Sequence, residues 1–161
     1  MSGTALLTQI ESKMASLIEG IKAEPYNFVW GKCNERDMAK AMYPSAVIYI
    51  ENETSVDDPD GVWAQEYANE VTFRIEVRAR LDAQYENPVV EIRTLLLRAL
   101  DDLKLLFGRN YNLDGTCDTI MYRGMTIVEE PSGDIFIPSK LVSVWLVRYE
   151  QDRLSPTTQT Q

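Results

Sequence analysis

The carboxylates between residues 51 and 61 are the side chains with the clearest potential for chemistry. The segment reads Glu-Asn-Glu-Thr-Ser-Val-Asp-Asp-Pro-Asp-Gly, with five acidic residues and one aliphatic residue. Hard cations take several carboxylates from a flexible loop, so a metal-dependent enzyme is one interpretation. An EF-hand register would start at Val56, however, and would require Glu where Tyr67 stands. We therefore expect no metal and no cofactor, and predict a mobile acidic loop over residues 51–65.

This loop is also the predicted partner-binding segment. A segment that can bury almost nothing by itself orders when a neighbour docks on it, at an entropic cost. Trp63 lies beside the acidic residues, and tryptophan is enriched at protein interfaces. The predicted partner-binding residues are Glu51, Glu53, Asp57, Asp58, Asp60 and Trp63.

The sequence gives little support for other arrangements of catalytic residues. There is no histidine, which removes the commonest general base and metal ligand. Asp101-Asp102 and Glu129-Glu130 are adjacent pairs. Neighbours point about 100° apart on a helix and to opposite faces on a strand, so paired acid–base action is disfavoured. We expect the helix pair to face solvent, and we predict no enzyme activity and no catalytic residues.

Composition limits the class of protein. The 161 residues suit one domain, and 16 basic against 25 acidic residues give a net charge of -9, the wrong balance for gripping phosphates. No run approaches the roughly 18 apolar residues of a membrane span, and the first residues do not look like an export signal. Cys33 and Cys117 are too far apart for a local CxxC pair, so we expect reduced thiols and synthesis in a cytoplasm.

Hydrophobic periodicity predicts an α+β fold. Helical spacing covers residues 4–23 and 87–107, and strand patterns cover 26–30, 46–50, 66–81, 119–130 and 140–150. The predicted order is α-β-β-β-α-β-β, with one small mixed or antiparallel sheet packed by two main helices. We expect a single domain over residues 1–153 and a disordered tail over 154–161.

A charged row on the long strand is the predicted subunit interface. Residues 66–81 alternate strictly, with apolar side chains on one face and a basic row interrupted by Glu76 on the other. Such a row could be an ordinary solvent face, could pair with acidic groups on a neighbour, or could grip phosphate. Both faces of strand 140–150 carry apolar residues, so one of them is a candidate for subunit contact. The predicted interface residues are Arg74, Glu76, Arg78, Arg80 and Trp145.

This order of elements resembles the tail terminator proteins of long-tailed bacteriophages, also called tail completion or minor tail proteins. The resemblance covers nearly the whole chain. It rests on strand 66–81 followed by helix 87–107, and on the closing Leu141-Val-Ser-Val-Trp-Leu-Val-Arg-Tyr-Glu150 preceded by Met121-Tyr-Arg-Gly-Met-Thr-Ile127.

The resemblance implies a structural virion protein at the head–tail junction. Such a subunit forms a homohexameric ring, binds the last ring of the tail tube protein, ends its polymerisation and presents its other side to the head connector. DNA passes through the lumen without specific binding, and no chemistry is involved. Two alternatives stay open: a neck or head-completion connector protein, and the metal-dependent enzyme of the acidic loop.

Overall fold

In the described part of the chain, two helices and four strands follow one another in the order α-β-β-α-β-β. The computed structural model describes residues 5–37, 40–55, 66–81 and 84–152. The elements are α1 (Leu6–Glu19), β1 (Ser45–Ser55), β2 (Glu66–Arg78), α2 (Pro88–Arg109), β3 (Thr119–Ser132) and β4 (Ile135–Asp152). The strands form one sheet in the order β1-β2-β4-β3, and all neighbours are antiparallel. The predicted α+β fold with an antiparallel sheet and two main helices is confirmed.

The helices form where apolar residues recur with helical spacing. In α1, Leu6, Ile10, Met14 and Ile18 are buried at four-residue intervals, which makes one apolar stripe. Helix α2 starts after Asn87, whose side-chain oxygen accepts a hydrogen bond from the Val90 amide at 3.4 Å. The buried residues of α1 and α2 belong to one continuous cluster that also includes residues of the sheet.

The two central strands supply the apolar face of the sheet. Val71, Phe73, Ile75 and Val77 of β2 are fully buried, as their alternation predicts. On β4, the Trp145 ring packs against Phe107 of α2 with ring centroids 5.0 Å apart. We call the opposite side, which carries Arg74 on β2 and Val144 on β4, the outer face. In the described ranges, neither helix packs on the outer face.

The predicted strand at residues 26–30 is wrong. This segment has no regular structure and passes beside α2, where a carboxylate of the helix accepts hydrogen bonds from its N–H groups. Asp102 Oδ1 accepts from the Asn27 amide at 2.7 Å, and Asp102 Oδ2 accepts from the Phe28 amide and the Trp30 indole, each at 3.1 Å. The alternating aromatic residues therefore belong to a segment whose N–H groups donate to the Asp102 carboxylate, and not to a strand that pairs with another strand.

The predicted loop at residues 51–65 starts too early. Residues 51–55 continue β1, because Asn52, Glu53 and Thr54 pair with Thr72, Val71 and Glu70 of β2 after a bulge that follows Ile50. Polar side chains are compatible with this pairing because β1 is an edge strand. Asp57, Asp58, Asp60 and Trp63 lie outside the described residues, as does the predicted tail at 154–161.

Strands β3 and β4 extend beyond the rest of the sheet. The last pair between β2 and β4 is Val77 with Leu141, whereas β3 and β4 stay paired as far as Ser132 and Ile135. Gly133, with φ of 64°, supplies the conformation that the tight turn requires. We call residues 129–138 the arm. Residues 129–136 are all exposed.

Candidate functional site

The outer face gathers the predicted charged row on one side of β2. Arg74, Glu76 and Arg78 alternate with the buried apolar residues of the strand, so their side chains point away from the helices. Arg80 lies just beyond the end of β2, with its guanidinium carbon 5.7 Å from the centre of the Tyr43 ring. The row therefore exists as a surface feature, but its members have different environments.

Glu76 is neutralised within the subunit. Its side chain pairs with Lys140 of β4, with 3.1 Å between Nζ and Oε1, and the residue is 8% exposed. A carboxylate withdrawn from water in this way needs the cation beside it. Glu76 therefore acts first as the internal partner of Lys140, and it is a weaker candidate for pairing with a neighbouring subunit.

Arg74 lacks such a partner among the residues that the structure describes. Its Nε is buried and has no hydrogen-bond acceptor, and Arg74 takes part in no ion pair among the described residues. Its guanidinium carbon is 5.8 Å from the centre of the Tyr49 ring, and that of exposed Arg36 is 5.5 Å from the same ring. A buried unsatisfied donor is costly, and two cations share one aromatic ring. This arginine pair is suited to a carboxylate or phosphate supplied from outside the subunit.

Aliphatic side chains surround the arginine pair. Val142, Val144 and Leu146 of β4 lie on the outer face opposite Glu76, Arg74 and Thr72 of β2, and all three are only half-buried. Farther along this face, Arg148 Nε donates to Glu70 Oε1 at 2.7 Å. A half-buried aliphatic surface with arginines at its centre has the composition of a protein contact.

The first part of the predicted partner-binding segment lies on β1. Glu51 is exposed beside the bulge. The Glu53 carboxylate accepts a hydrogen bond from the Tyr149 hydroxyl. Burial and the hydrogen bond to Glu53 raise the pKa of Tyr149 well above its usual value. Glu53 therefore has an internal partner, and Glu51 is exposed.

Trp145 is a core residue. It is 2% exposed, packs against Phe107 and Tyr122, and donates its indole N–H to Ser143 Oγ at 2.8 Å. Ser143 in turn donates to the Ile75 carbonyl at 3.1 Å. The prediction that Trp145 contacts a neighbouring subunit is therefore wrong, because its face of β4 is buried within the subunit. The face of β4 that stays open is the one that carries Val144.

Asp102 is a key residue whose position was predicted wrongly from the sequence. We expected it to face solvent beside Asp101, but it is 1% exposed and holds the 26–30 segment through three hydrogen bonds. A signal was present in the sequence, since Asp102 lies three residues after Ala99 and four before Leu106 on the apolar stripe of α2. A carboxylate at a core position of a helix indicates buried donors nearby.

The two cysteines are buried thiols. Burial, with a further contribution from Glu19, raises the pKa of Cys33 to about 12, and burial together with Asp118 raises that of Cys117 to about 12. Because the thiolate is the nucleophile and the metal ligand, neither thiol is poised to react.

Among the described residues, no group of three or more histidine, cysteine, aspartate or glutamate side chains is placed to hold a metal ion, and no helix is long and apolar enough to cross a membrane. No protein-family model matches the chain, and no curated protein sequence matches it significantly.

Proposed function

We propose that this protein is a structural virion protein that caps the tail tube of a long-tailed bacteriophage as a homohexameric ring. It ends polymerisation of the tube protein and joins the tail to the neck or connector proteins of the head. It acts by binding rather than by catalysis, and its place is the head–tail junction of the virion. The resemblance in element order suggests this function, and the order α-β-β-α-β-β observed in the described residues is compatible with it.

The observation that carries the proposal is the outer face. A small sheet that buries one face under its helices and leaves aliphatic residues half-exposed on the other has a surface available for assembly. The face also holds Arg74, whose buried Nε has no acceptor in the part of the chain that the structure describes. A neighbouring subunit with exposed carboxylates would supply both the apolar cover and the missing acceptor.

The net charge suits a ring through which DNA travels. With 25 acidic and 16 basic residues, the chain repels a polyanion, and no counterions are released where no phosphates are neutralised. DNA would therefore slide through the lumen without adhering to it. On the outer face, the carboxylates of Glu76 and Glu70 are paired with Lys140 and Arg148.

Tube growth tests this function. Purified tail-tube protein from the same virus is allowed to polymerise with and without this protein, and tube lengths are measured in negative-stain images. We expect growth to stop and the tubes to carry a cap at one end. The double reversal Arg36→Glu with Arg74→Glu should abolish capping, while the control Arg109→Glu, exposed at the end of α2, should not. Unaltered tube growth with the wild-type protein would refute the proposal, and binding to the head connector instead would favour a neck protein.

A further inference from the structure

A line of paired residues crosses the outer face at the level of Arg74. Tyr49 of β1 pairs with Arg74 of β2. Arg74 in turn pairs with Val144 of β4, and Val144 pairs with Gly124 of β3. Residues directly opposite one another on neighbouring antiparallel strands share one face of the sheet. We call these four residues the cross-strand row. One end of the row has an aromatic ring and a cation, and the other end has aliphatic surface.

Arg36 is held beside the row by Asn34. The Asn34 amide donates to the Ala46 carbonyl at 2.8 Å, and the Asn34 side-chain oxygen accepts from the Ile48 amide at 2.8 Å. Asn34 thus takes the place of a strand partner at the edge of β1 and fixes the segment that carries Arg36. The Arg36 guanidinium carbon is 5.5 Å from the centre of the Tyr49 ring. The fold therefore holds a second cation at this ring, in addition to the one from β2.

The unsatisfied donor of Arg74 determines which ligand fits. Its Nε is buried and has no hydrogen-bond acceptor in the described part of the chain. Nε–H and a neighbouring Nη–H of arginine form a fork that matches the two oxygens of a carboxylate. The residue as a whole is only half-buried, so the fork lies just below the outer surface. A carboxylate bound there would satisfy a donor that the described residues leave unpaired.

The carboxylates of the outer face are already paired with other cations. Glu76 pairs with Lys140 at 3.1 Å. Glu70 pairs with Arg148 at 2.7 Å. None of the ion pairs among the described residues includes either arginine at the Tyr49 ring. Two cations at one ring attract a single anion jointly, and this anion has to come from another molecule.

The surroundings favour a carboxylate over a phosphate. Nucleic acids bind through many neutralised phosphates, whereas this chain has a net charge of -9 and carries Glu51 and Glu53 on the same strand as Tyr49. A phosphate also has more acceptor oxygens than one fork can satisfy. Next to the half-buried Val142 and Val144, the remaining oxygens would lose water without gaining a donor. A carboxylate has one charge and two oxygens, so it avoids this cost.

The other end of the row has room for an aliphatic side chain. Val144 is half-buried, and a Cβ atom added to Gly124 would meet no atom within 4 Å. Neighbouring strands are about 4.8 Å apart, and side chains two residues apart on one face of an extended chain are separated by about 7 Å. An extended segment that crosses the strands would therefore reach from Arg74 to the space beside Val144 within two residues.

We infer that the cross-strand row binds a partner protein through an acidic side chain and an aliphatic side chain two positions apart in an extended segment. Arg74 holds the carboxylate, Arg36 attracts it, and Val144 contacts the aliphatic side chain. The fork supplies specificity, and the apolar contact adds buried area around it. This inference rests on the proposed function, since it names the chemistry by which the outer face recognises a partner in the assembly.

Short peptides test the site by nuclear magnetic resonance. The probe is acetyl-Glu-Thr-Val-amide, and matched peptides carry glutamine or phosphoserine in place of glutamate. The Nε–H signal of Arg74, assigned by its loss in Arg74→Lys, and the methyl signals of Val144 report binding at constant ionic strength. Peptide is added up to about 10 mM, which detects millimolar affinity. We expect the glutamate peptide to shift both signals and to bind at least about tenfold more tightly than the glutamine peptide.

Three results would overturn the inference. They are equal affinity for the glutamate and glutamine peptides, an Arg74 Nε–H signal that does not move, and tighter binding of the phosphoserine peptide. The last result would assign the site to a phosphate ligand instead.

Two arginine variants separate the fork from charge alone. Arg74→Lys keeps the charge but removes the fork, so it should weaken binding of the glutamate peptide by about tenfold, as followed by the Val144 methyl signals. Arg148→Lys is the matched control on the same face, because Arg148 already donates to Glu70. This control should leave the affinity unchanged. Equal affinity in the two variants would contradict the role of Arg74.

The outcomes separate this site from the proposed function. Selective binding of the glutamate peptide by a protein that does not cap tubes would support the site and refute the tail-terminator function. Capped tubes formed by a protein that does not distinguish the peptides would support that function and refute the site.

Discussion

Asp102 joins the 26–30 segment to helix α2, and its removal should be among the most destabilising single changes in the chain. Its carboxylate accepts hydrogen bonds from the Asn27 and Phe28 amides and from the Trp30 indole. Asp102→Ala leaves all three donors without this acceptor. An unsatisfied buried donor costs roughly 1–3 kcal/mol. The indole is in a fully buried bond, while the two amides are partly reached by water.

We expect Asp102→Ala to lower the free energy of unfolding by about 3 kcal/mol, which is roughly a hundredfold change in the folding equilibrium. The estimate counts one full penalty for the indole and partial penalties for the amides, less the carboxylate desolvation that the substitution relieves. Asp102→Asn keeps the shape but turns one acceptor into a donor, so its effect should be intermediate. The measurement is urea unfolding followed by circular dichroism, with the denaturant slope unchanged.

The neighbouring carboxylate supplies the control. Asp101 is exposed one position earlier on α2, so Asp101→Ala should change the free energy of unfolding by no more than about 0.5 kcal/mol. Trp30 gives a local readout, because it is 1% exposed and its fluorescence should report water entry if the segment detaches. A loss below about 1 kcal/mol for Asp102→Ala, with Trp30 fluorescence unchanged, would refute the assignment of Asp102 as the anchor of this segment.

Three further predictions concern the outer face, the core and the thiols. Arg74→Leu should leave the urea midpoint of the subunit unchanged or raise it, because the substitution removes an unsatisfied buried donor. The same substitution should weaken ring formation measured by sedimentation. An unaffected ring would argue against the outer face as a contact. Trp145→Ala should cost about 3–5 kcal/mol in urea unfolding, and a loss below about 1 kcal/mol would contradict its core position. Cys33 and Cys117 should resist thiol reagents until the chain unfolds. Because their pKa rises from 9.0 to about 12 on folding, stability should decline as the pH increases from about 9 towards 12, and a flat pH dependence there would contradict their burial.

The fold class was largely readable from the sequence because its main elements have clear periods. Val71, Phe73, Ile75 and Val77 alternate without exception, and all four are buried. Asn87 followed by Pro88 marks the start of α2 where the structure has it. The error at 26–30 has a physical cause, since aromatic alternation records which side chains are buried but not which acceptor takes the backbone N–H groups.

The surface was harder to predict than the core. Lys140 is 64 residues from Glu76 in the chain, so pairing on the outer face depends on the strand register and cannot be read locally. We predicted Trp145 to lie at an interface because both faces of β4 carry apolar residues, and the sequence of the strand does not tell which face the helices cover. The exposed position of Phe136 was not predicted, because the arm forms only where β3 and β4 extend beyond the end of β2.

The number and position of copies on a tail tube test the central claim most directly. A single-cysteine variant at exposed Asp101 can be labelled fluorescently, bound to purified tubes from the same virus, and counted by stepwise photobleaching while negative-stain images show the tube ends. A hexameric cap predicts six bleaching steps at one end of each tube and a ring with a central hole in the images. Label scattered along the tube wall, or no bound label at all, would contradict the account.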